Sequence, residues 1–283
     1  MTDGLSSVVC KTRGKLRQEA GDILVGDRVA YSLINEIDGD LAQGIIENIM
    51  PRVNQLIRPK IANITGAILV LSSVTPAPDW LLLDKMLVMA GYNALDIVIC
   101  INKTDLAKGA RSEEITEQSE IYGRSFKVML SSAKDGSGVD ELRQVLKPGV
   151  WVFAGASGVG KSSMLNAVVE ELKMNVGKVS EKLGRGKHTT RHAEIIRLKD
   201  EIMIADTPGF SLLELPEGIT DTELRYYYPE FEREERCRFD SCLHDREPDC
   251  YIKELAEQGK IDGGRYRRYL MLLQMLRERE VKY

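Results

Sequence analysis

The sequence predicts an α/β fold. A mostly parallel sheet flanked by helices is preceded by a small N-terminal β-barrel and followed by a mainly α metal-binding segment. Three observations predict it. Between residues 63 and 215, short apolar runs alternate with stretches of helical spacing, as parallel strands joined by crossover helices require. Residues 1–62 hold only short strand-like segments punctuated by turn residues. From Pro216 to residue 283 the chain turns charged, tyrosine-rich and helical, and carries a cysteine–histidine cluster.

The elements follow in order. Val8-Val9-Cys10 opens a strand. Asp22 to Tyr31 alternates through a Gly26-Asp27 turn, Gly39-Asp40 breaks the chain, and Gly44 to Ile49 starts another strand. This spacing suits a small barrel, an OB-fold before an SH3-like one. Gly66 to Leu71 is a continuous apolar run, the mark of a strand buried on both faces. Trp80 to Ala90, Glu113 to Tyr122 and Val139 to Leu146 have helical spacing. Asp96 to Ile101, Phe126 to Leu130, Val150 to Ala154 and Glu201 to Ala205 read as strands. A helix starts at Lys161. Tyr266 to Glu280 closes the chain as a helix with Tyr269, Leu270, Leu272, Leu273 and Leu276 on its apolar side.

At 283 residues the length suggests about two domains. The chain is 43% hydrophobic and 29% charged, enough apolar material for a substantial core. A net charge of −4 excludes indiscriminate nucleic-acid binding by the whole surface. No apolar run reaches the ~20 residues that span a bilayer, and the polar start, Met1 to Ser7, does not read as a signal peptide. Five cysteines, an odd number in a chain with a nucleotide motif, point to a reducing cytoplasm.

Gly155-Ala156-Ser157-Gly158-Val159-Gly160-Lys161-Ser162, followed by Ser163, fits the phosphate-cradling pattern G-x-x-x-x-G-K-[ST] between a strand and a helix. Its glycines let backbone N–H groups reach phosphate, Lys161 brings a positive charge to the β- and γ-phosphates, and Ser162 is a Mg²⁺ ligand. Asn102-Lys103-Thr104-Asp105 and Ser132-Ala133-Lys134 are guanine-reading loops. The Asp105 carboxylate can accept from guanine N1–H and the exocyclic amine, a pair that adenine does not offer. Asn102 ties this loop to the phosphate loop, and the Ala133 N–H faces guanine O6. Asp206-Thr207-Pro208-Gly209 supplies a metal-facing carboxylate, acting through water, and the Gly209 N–H for the γ-phosphate. The guanine loops precede the phosphate loop, the reverse of the ordinary order, so the chain reads as a circularly permuted GTP-binding domain.

Between these motifs, Gly184 to Arg191 occupies the place of the first switch. Thr190 is the candidate second Mg²⁺ hydroxyl, with Thr189 behind it. Phe210 stands where many GTPases keep a water-orienting glutamine, and phenylalanine cannot polarise water. His188 is the candidate replacement, since neutral imidazole can orient or deprotonate water; a contact with RNA or solvent is its other reading. Slow hydrolysis by the isolated protein follows.

Cys237, Cys242, His244 and Cys250 place three thiols and one imidazole within fourteen residues, a donor set for one structural Zn²⁺ in a closed tetrahedron. Cys10 and Cys100 fall in strand-like runs and read as small core residues. Three basic clusters are candidate RNA contacts: Lys11 to Arg17, Lys178 to His192, and Arg265, Arg267 and Arg268. A solvated face is the alternative for each.

Together these motifs closely resemble the RsgA/YjeQ (YloQ) family of small-ribosomal-subunit GTPases. The resemblance covers nearly the whole chain. It includes Cys10-x-x-Arg13-Gly14-Lys15, Val25-Gly26-Asp27-x-Val29, the permuted motif order, Gly184-x-Gly186-x-His188-Thr189-Thr190-Arg191, Asp206-Thr207-Pro208-Gly209-Phe210 and the Cys₃His spacing. It implies an OB-fold, a permuted GTPase domain and a zinc domain. It also implies action late in small-subunit maturation, binding to rRNA, GTP hydrolysis stimulated by the subunit, and His188 as the catalytic histidine. Some members carry a longer basic N-terminal extension than this chain. A monomer with no membrane association is expected. An RNA-binding adaptor that holds GTP or GDP with negligible turnover is the competing reading, and Phe210 supports it.

Overall fold

The computed structural model describes residues 7–12, 22–38, 41–56, 60–174, 194–198, 201–206, 215–232 and 237–280. The chain divides into two compact units. One comprises Met1–Gly66, Leu146–Val152 and Leu172–Phe210; the other comprises Ala67–Val145, Phe153–Glu171 and Ser211–Tyr283.

In the first unit, β1 (Val8–Thr12), β2 (Val29–Asp38) and β3 (Leu41–Ile49) form a sheet of order β1-β3-β2, with β1 parallel and β2 antiparallel to β3. A two-residue ladder joins β4 (Gln55–Leu56) to β5 (Ile61–Ala62). These are the barrel-like N-terminal strands expected. Before β2 the Gly26-Asp27 turn lies where the sequence places it, while Asp22–Val25 is no strand and Val25 alone makes a bridge, to Ile61. Gly26 has φ +90°, and a Cβ there would lie 2.1 Å from the Ala62 carbonyl oxygen. Asp27 accepts from the Leu24 N–H at 2.7 Å and pairs with Arg52, which pins that turn. Cys10 is half-buried and Cys100 is buried, neither in a disulfide.

A six-stranded sheet contains β6 (Ile64–Ser72), β7 (Asp96–Asn102), β8 (Lys127–Leu130), β9 (Gly149–Ala154), β10 (Glu194–Arg197) and β11 (Ile202–Asp206), in the order β10-β11-β9-β6-β7-β8. The β7–β8 and β9–β11 pairs are parallel and β10 is an antiparallel edge. The sequence reading missed β10, whose four residues are too few for a periodicity. The β6 and β9 side chains are almost wholly buried, which explains their unbroken apolar runs. Gly66 is required by packing, because a Cβ there would sit 2.4 Å from the Trp151 ring.

The helices are α1 (Trp80–Tyr92), α2 (Ala110–Gly123), α3 (Val139–Val145), α4 (Lys161–Met174), α5 (Tyr251–Glu257) and α6 (Gly263–Glu280), all in the second unit except the last three residues of α4. The Asp79 side chain caps α1 by accepting from the Leu82 N–H. The apolar side of α6 packs Tyr269, Leu272, Leu273 and Leu276 with Val88 of α1, Ile219, Leu224 and Tyr228. No helix among the described residues is long and apolar enough to cross a membrane.

A buried ionic cluster bolts α6 to α1. Asp84 Oδ1 accepts from Arg265 and from the Tyr122 hydroxyl, and Asp84 Oδ2 accepts from Arg268 at 2.8 Å. Arg265 also donates to Glu230 at 2.6 Å. Burial alone would depress the Arg265 guanidinium; the Asp84 and Glu230 carboxylates outweigh it and hold it well above its ordinary value. This corrects the reading of the Arg265–Arg268 cluster as an RNA surface. Arg265 is buried and Arg268 largely so, and within this trio Arg267 alone faces solvent. The signal was Asp84, an acid in the middle of an otherwise apolar helix face.

Candidate nucleotide site and metal centre

Strand β9 feeds the loop Gly155–Gly160 and α4 begins at Lys161. Gly155, Gly158 and Gly160 have φ of +149°, +79° and +99°, conformations that L side chains rarely adopt. Close approach adds to this. A Cβ at Gly155 would lie 2.2 Å from the Val70 carbonyl oxygen, and one at Gly160 would lie 2.3 Å from Asn102 Nδ2. Val159 is buried, Ala156 half-buried and Ser157 exposed. Ser162 and Ser163 are exposed on the first turn of α4, where backbone N–H groups and the helix dipole favour an anion. The Lys161 ammonium donates to the Gly155 and Ala156 carbonyls at 2.9 and 2.8 Å, and burial lowers its pKa.

The base-side loops converge on one amide. Asn102 ends β7 fully buried. Its Nδ2 donates to the Val159 carbonyl at 3.0 Å, and its Oδ1 accepts from the Ala133 N–H at 3.1 Å. One side chain thereby joins the phosphate loop, the Asn102–Asp105 loop and the Ser132–Lys134 loop. Lys103 takes a left-handed conformation, φ +66°, and its ammonium donates to the Gly158 carbonyl at 2.7 Å and to the Thr75 carbonyl. Asp105 lies half-buried in a short 3₁₀ turn, which Thr104 ties to the Ser131 carbonyl through its N–H and hydroxyl. Ser132 is buried; its hydroxyl accepts from the Lys134 N–H, and Lys134 itself is exposed.

Asp206 is the last residue of β11. His188, Thr189, Thr190 and Gly209 lie outside the described residues, as do Phe210 and the Lys178–His192 cluster.

Cys237, Cys242, His244 and Cys250 converge so that their ligand atoms all lie within 4.8 Å of one another. Cys237 Sγ and Cys250 Sγ are 3.9 Å apart, and each is 3.5 Å from His244 Nδ1. A Cys₃His tetrahedron with bonds of zinc's length has S···S edges of about 3.8 Å and S···N edges of about 3.5 Å. The donor set therefore fits a small tetrahedral ion. The surroundings orient it. The Tyr266 and Tyr269 hydroxyls donate to the His244 and Leu243 carbonyls, both at 2.6 Å, and the Phe231 ring meets the His244 ring edge-on. Cys250 also caps α5, accepting from the Lys253 N–H. Burial first, and the Arg225 charge second, push His244 down to about 4, so it is neutral and ready to ligate at neutral pH.

A family model described as RsgA GTPase matches residues 49–216, more than half of the chain. The chain belongs to the RsgA GTPase family. Its members are GTP-hydrolysing enzymes. A relative from Caldanaerobacter subterraneus subsp. tengcongensis, named small ribosomal subunit biogenesis GTPase RsgA, is 43% identical over 96% of this chain and 90% of its own. Another of that name from Agathobacter rectalis is 42% identical over 96% and 88%. Among solved structures, YjeQ from Thermotoga maritima superposes with a TM-score of 0.79 at 37% identity, covering 94% of this chain and 89% of that one. YloQ, described as a circularly permuted GTPase, gives 0.78 at 34% identity, covering 95% and 86%. The fold of this family member is thus a circularly permuted GTPase domain with barrel-like strands before it and a Cys₃His module after it.

The sequence reading passed over two buried serines at the end of β6: Ser73 bonds into the base-side loop, and Ser72 donates to the Thr75 carbonyl. Their signal was small polar residues ending an apolar strand at a ligand-side edge.

Proposed function

We propose that this family member hydrolyses the β–γ phosphoanhydride of GTP while bound to the small ribosomal subunit, late in the maturation of that particle. The observation that carries this reading is the Asn102 amide, which locks a guanine-type loop onto a phosphate loop. Lys161 holds the β- and γ-phosphates. Ser162 and Thr190 ligate Mg²⁺, Asp206 faces it through water, and the Gly209 N–H meets the γ-phosphate. Asp105 reads the guanine edge. Ala133 gives its N–H to guanine O6 by sharing or exchanging its bond to Asn102 Oδ1. His188 positions the attacking water. Zn²⁺ fills the Cys₃His site as a structural ion, one per chain.

We further assign residues 1–62 to an OB-fold RNA-binding domain, 63–215 to the GTPase domain and 216–283 to the zinc domain, in a cytoplasmic monomer. Phosphate release measured with and without purified small subunits tests the reading. The subunit should accelerate turnover at least tenfold, and His188→Ala should abolish the acceleration. Turnover that stays negligible with subunits present favours the adaptor reading, which Phe210 supports. The base assignment has its own test. Asp105→Asn should lower GTP affinity on the order of 100-fold, through loss of two charged hydrogen bonds, and should create preference for xanthosine triphosphate. A variant that keeps its guanine preference would show that Asp105 does not read the base.

A further inference from the structure

We infer that Ser72 and Ser73 are positioning residues for nucleotide binding, which brace the base-reading loop against the phosphate loop from the end of β6. The inference rests on the nucleotide reading above and goes beyond its motif residues. Ser73 is fully buried. Its hydroxyl donates to the Lys103 carbonyl at 2.7 Å, and its N–H donates to the Asn102 carbonyl at 2.8 Å. Ser72, also buried, donates its hydroxyl to the Thr75 carbonyl at 3.0 Å. That carbonyl also accepts the Lys103 ammonium, whose second bond goes to the Gly158 carbonyl. One serine therefore holds the backbone of Lys103 and the other fixes the acceptor that aims its side chain.

The geometry explains why hydroxyls are needed. Lys103 occupies a left-handed conformation that costs a non-glycine residue free energy, so the surroundings must hold it there. Asp105 follows two residues later, and the placement of its carboxylate is inherited from that bend. Alanine at position 73 leaves the part-buried Lys103 carbonyl without this donor, and the bend relaxes. The base contact then weakens while the glycine-built phosphate loop keeps its own backbone.

The test is calorimetric binding of GDP to the full-length protein. Ser73→Ala should raise Kd by about tenfold, the size expected for one buried hydrogen bond, and Ser72→Ala by a smaller factor. Ser73→Thr, which keeps the hydroxyl, should restore most of the affinity. In an Asp105→Asn background, where the guanine contact is already lost, Ser73→Ala should cost less than threefold, the non-additivity of residues that act through one contact. Unchanged GDP affinity in both alanine variants would overturn the assignment. A full tenfold loss in the Asp105→Asn background would also overturn it, by showing that Ser73 supports the domain rather than the base loop. Should Ser73→Ala not fold, the same cycle run with Ser72→Ala decides between these outcomes. Failure of the wild-type protein to bind GDP would instead remove the nucleotide reading itself.

Discussion

Replacing Asp84 with alanine is expected to destabilise the unit containing α1 and α6 by about 3–5 kcal/mol, because it leaves the largely buried Arg268 without its acid and Arg265 with Glu230 alone. Arg265 and Arg268 both pair with this carboxylate, and the Tyr122 hydroxyl donates to it. Among the described residues Glu230 pairs with Arg265 and not with Arg268, so it cannot compensate for both. The Asp84 side chain is fully enclosed, which keeps solvent screening from softening the loss. Urea unfolding of the variant and the wild type reads the effect as a shift in midpoint at unchanged slope. A loss under about 1 kcal/mol would mean that water reaches the two arginines once the acid is gone. Replacing Asp84, Glu230, Arg265 and Arg268 together by apolar side chains of similar volume should recover much of the stability, since the cost lies in an unpaired charge rather than in a missing attraction.

Removing the metal is expected to unfold the module that holds the Cys₃His cluster. Its own core is small: Cys242, Cys250, Ile252, Leu255 and Ile261, two of them ligands. So few apolar groups cannot offset the chain entropy of ordering the module, and ion binding worth on the order of 10 kcal/mol supplies the difference. Amide exchange across residues 237–257 should rise sharply after chelation or in Cys250→Ser. Unaltered exchange in protein verified as metal-free would sink the idea.

Acid should assist the loss. A ligating imidazole must be neutral, and burial already pushes the His244 imidazole down to about 4, whereas the unfolded chain carries an ordinary histidine near 6.5. As pH falls below about 6.5 the unfolded chain takes up the proton, so the fold that needs neutral His244 is at full stability above that value and loses stability below it. Metal release should follow the same direction.

How much of this was legible in the sequence varies with the range of the forces involved. The strands Gly66–Leu71 and Val150–Ala154 were readable because both faces are buried, which leaves an unbroken apolar run. The glycine-rich loop was readable because the spacing of its glycines, Lys161 and Ser162 is local, and the Cys₃His donor set because all four residues fall within fourteen residues. The Gly26-Asp27 turn was readable, but not that the Asp27 carboxylate builds it or that Arg52 secures it from a distant point in the chain. The strand Glu194–Arg197 was invisible because an edge of four residues has too little pattern.

The residues alone carried the order of the motifs, the loops that hold them and the chemistry of the Cys₃His donors. All of these depend on residue identity at short spacing. Packing between distant elements sets Arg265 and Arg268 against a buried acid instead of against RNA, lets Asn102 join three loops, and brings the Ser73 hydroxyl to the Lys103 carbonyl. The physical reason is common to these cases. A charge or hydroxyl carries the same letter whether it meets water or a partner, and only the packing of elements far apart in the chain decides which of the two it meets.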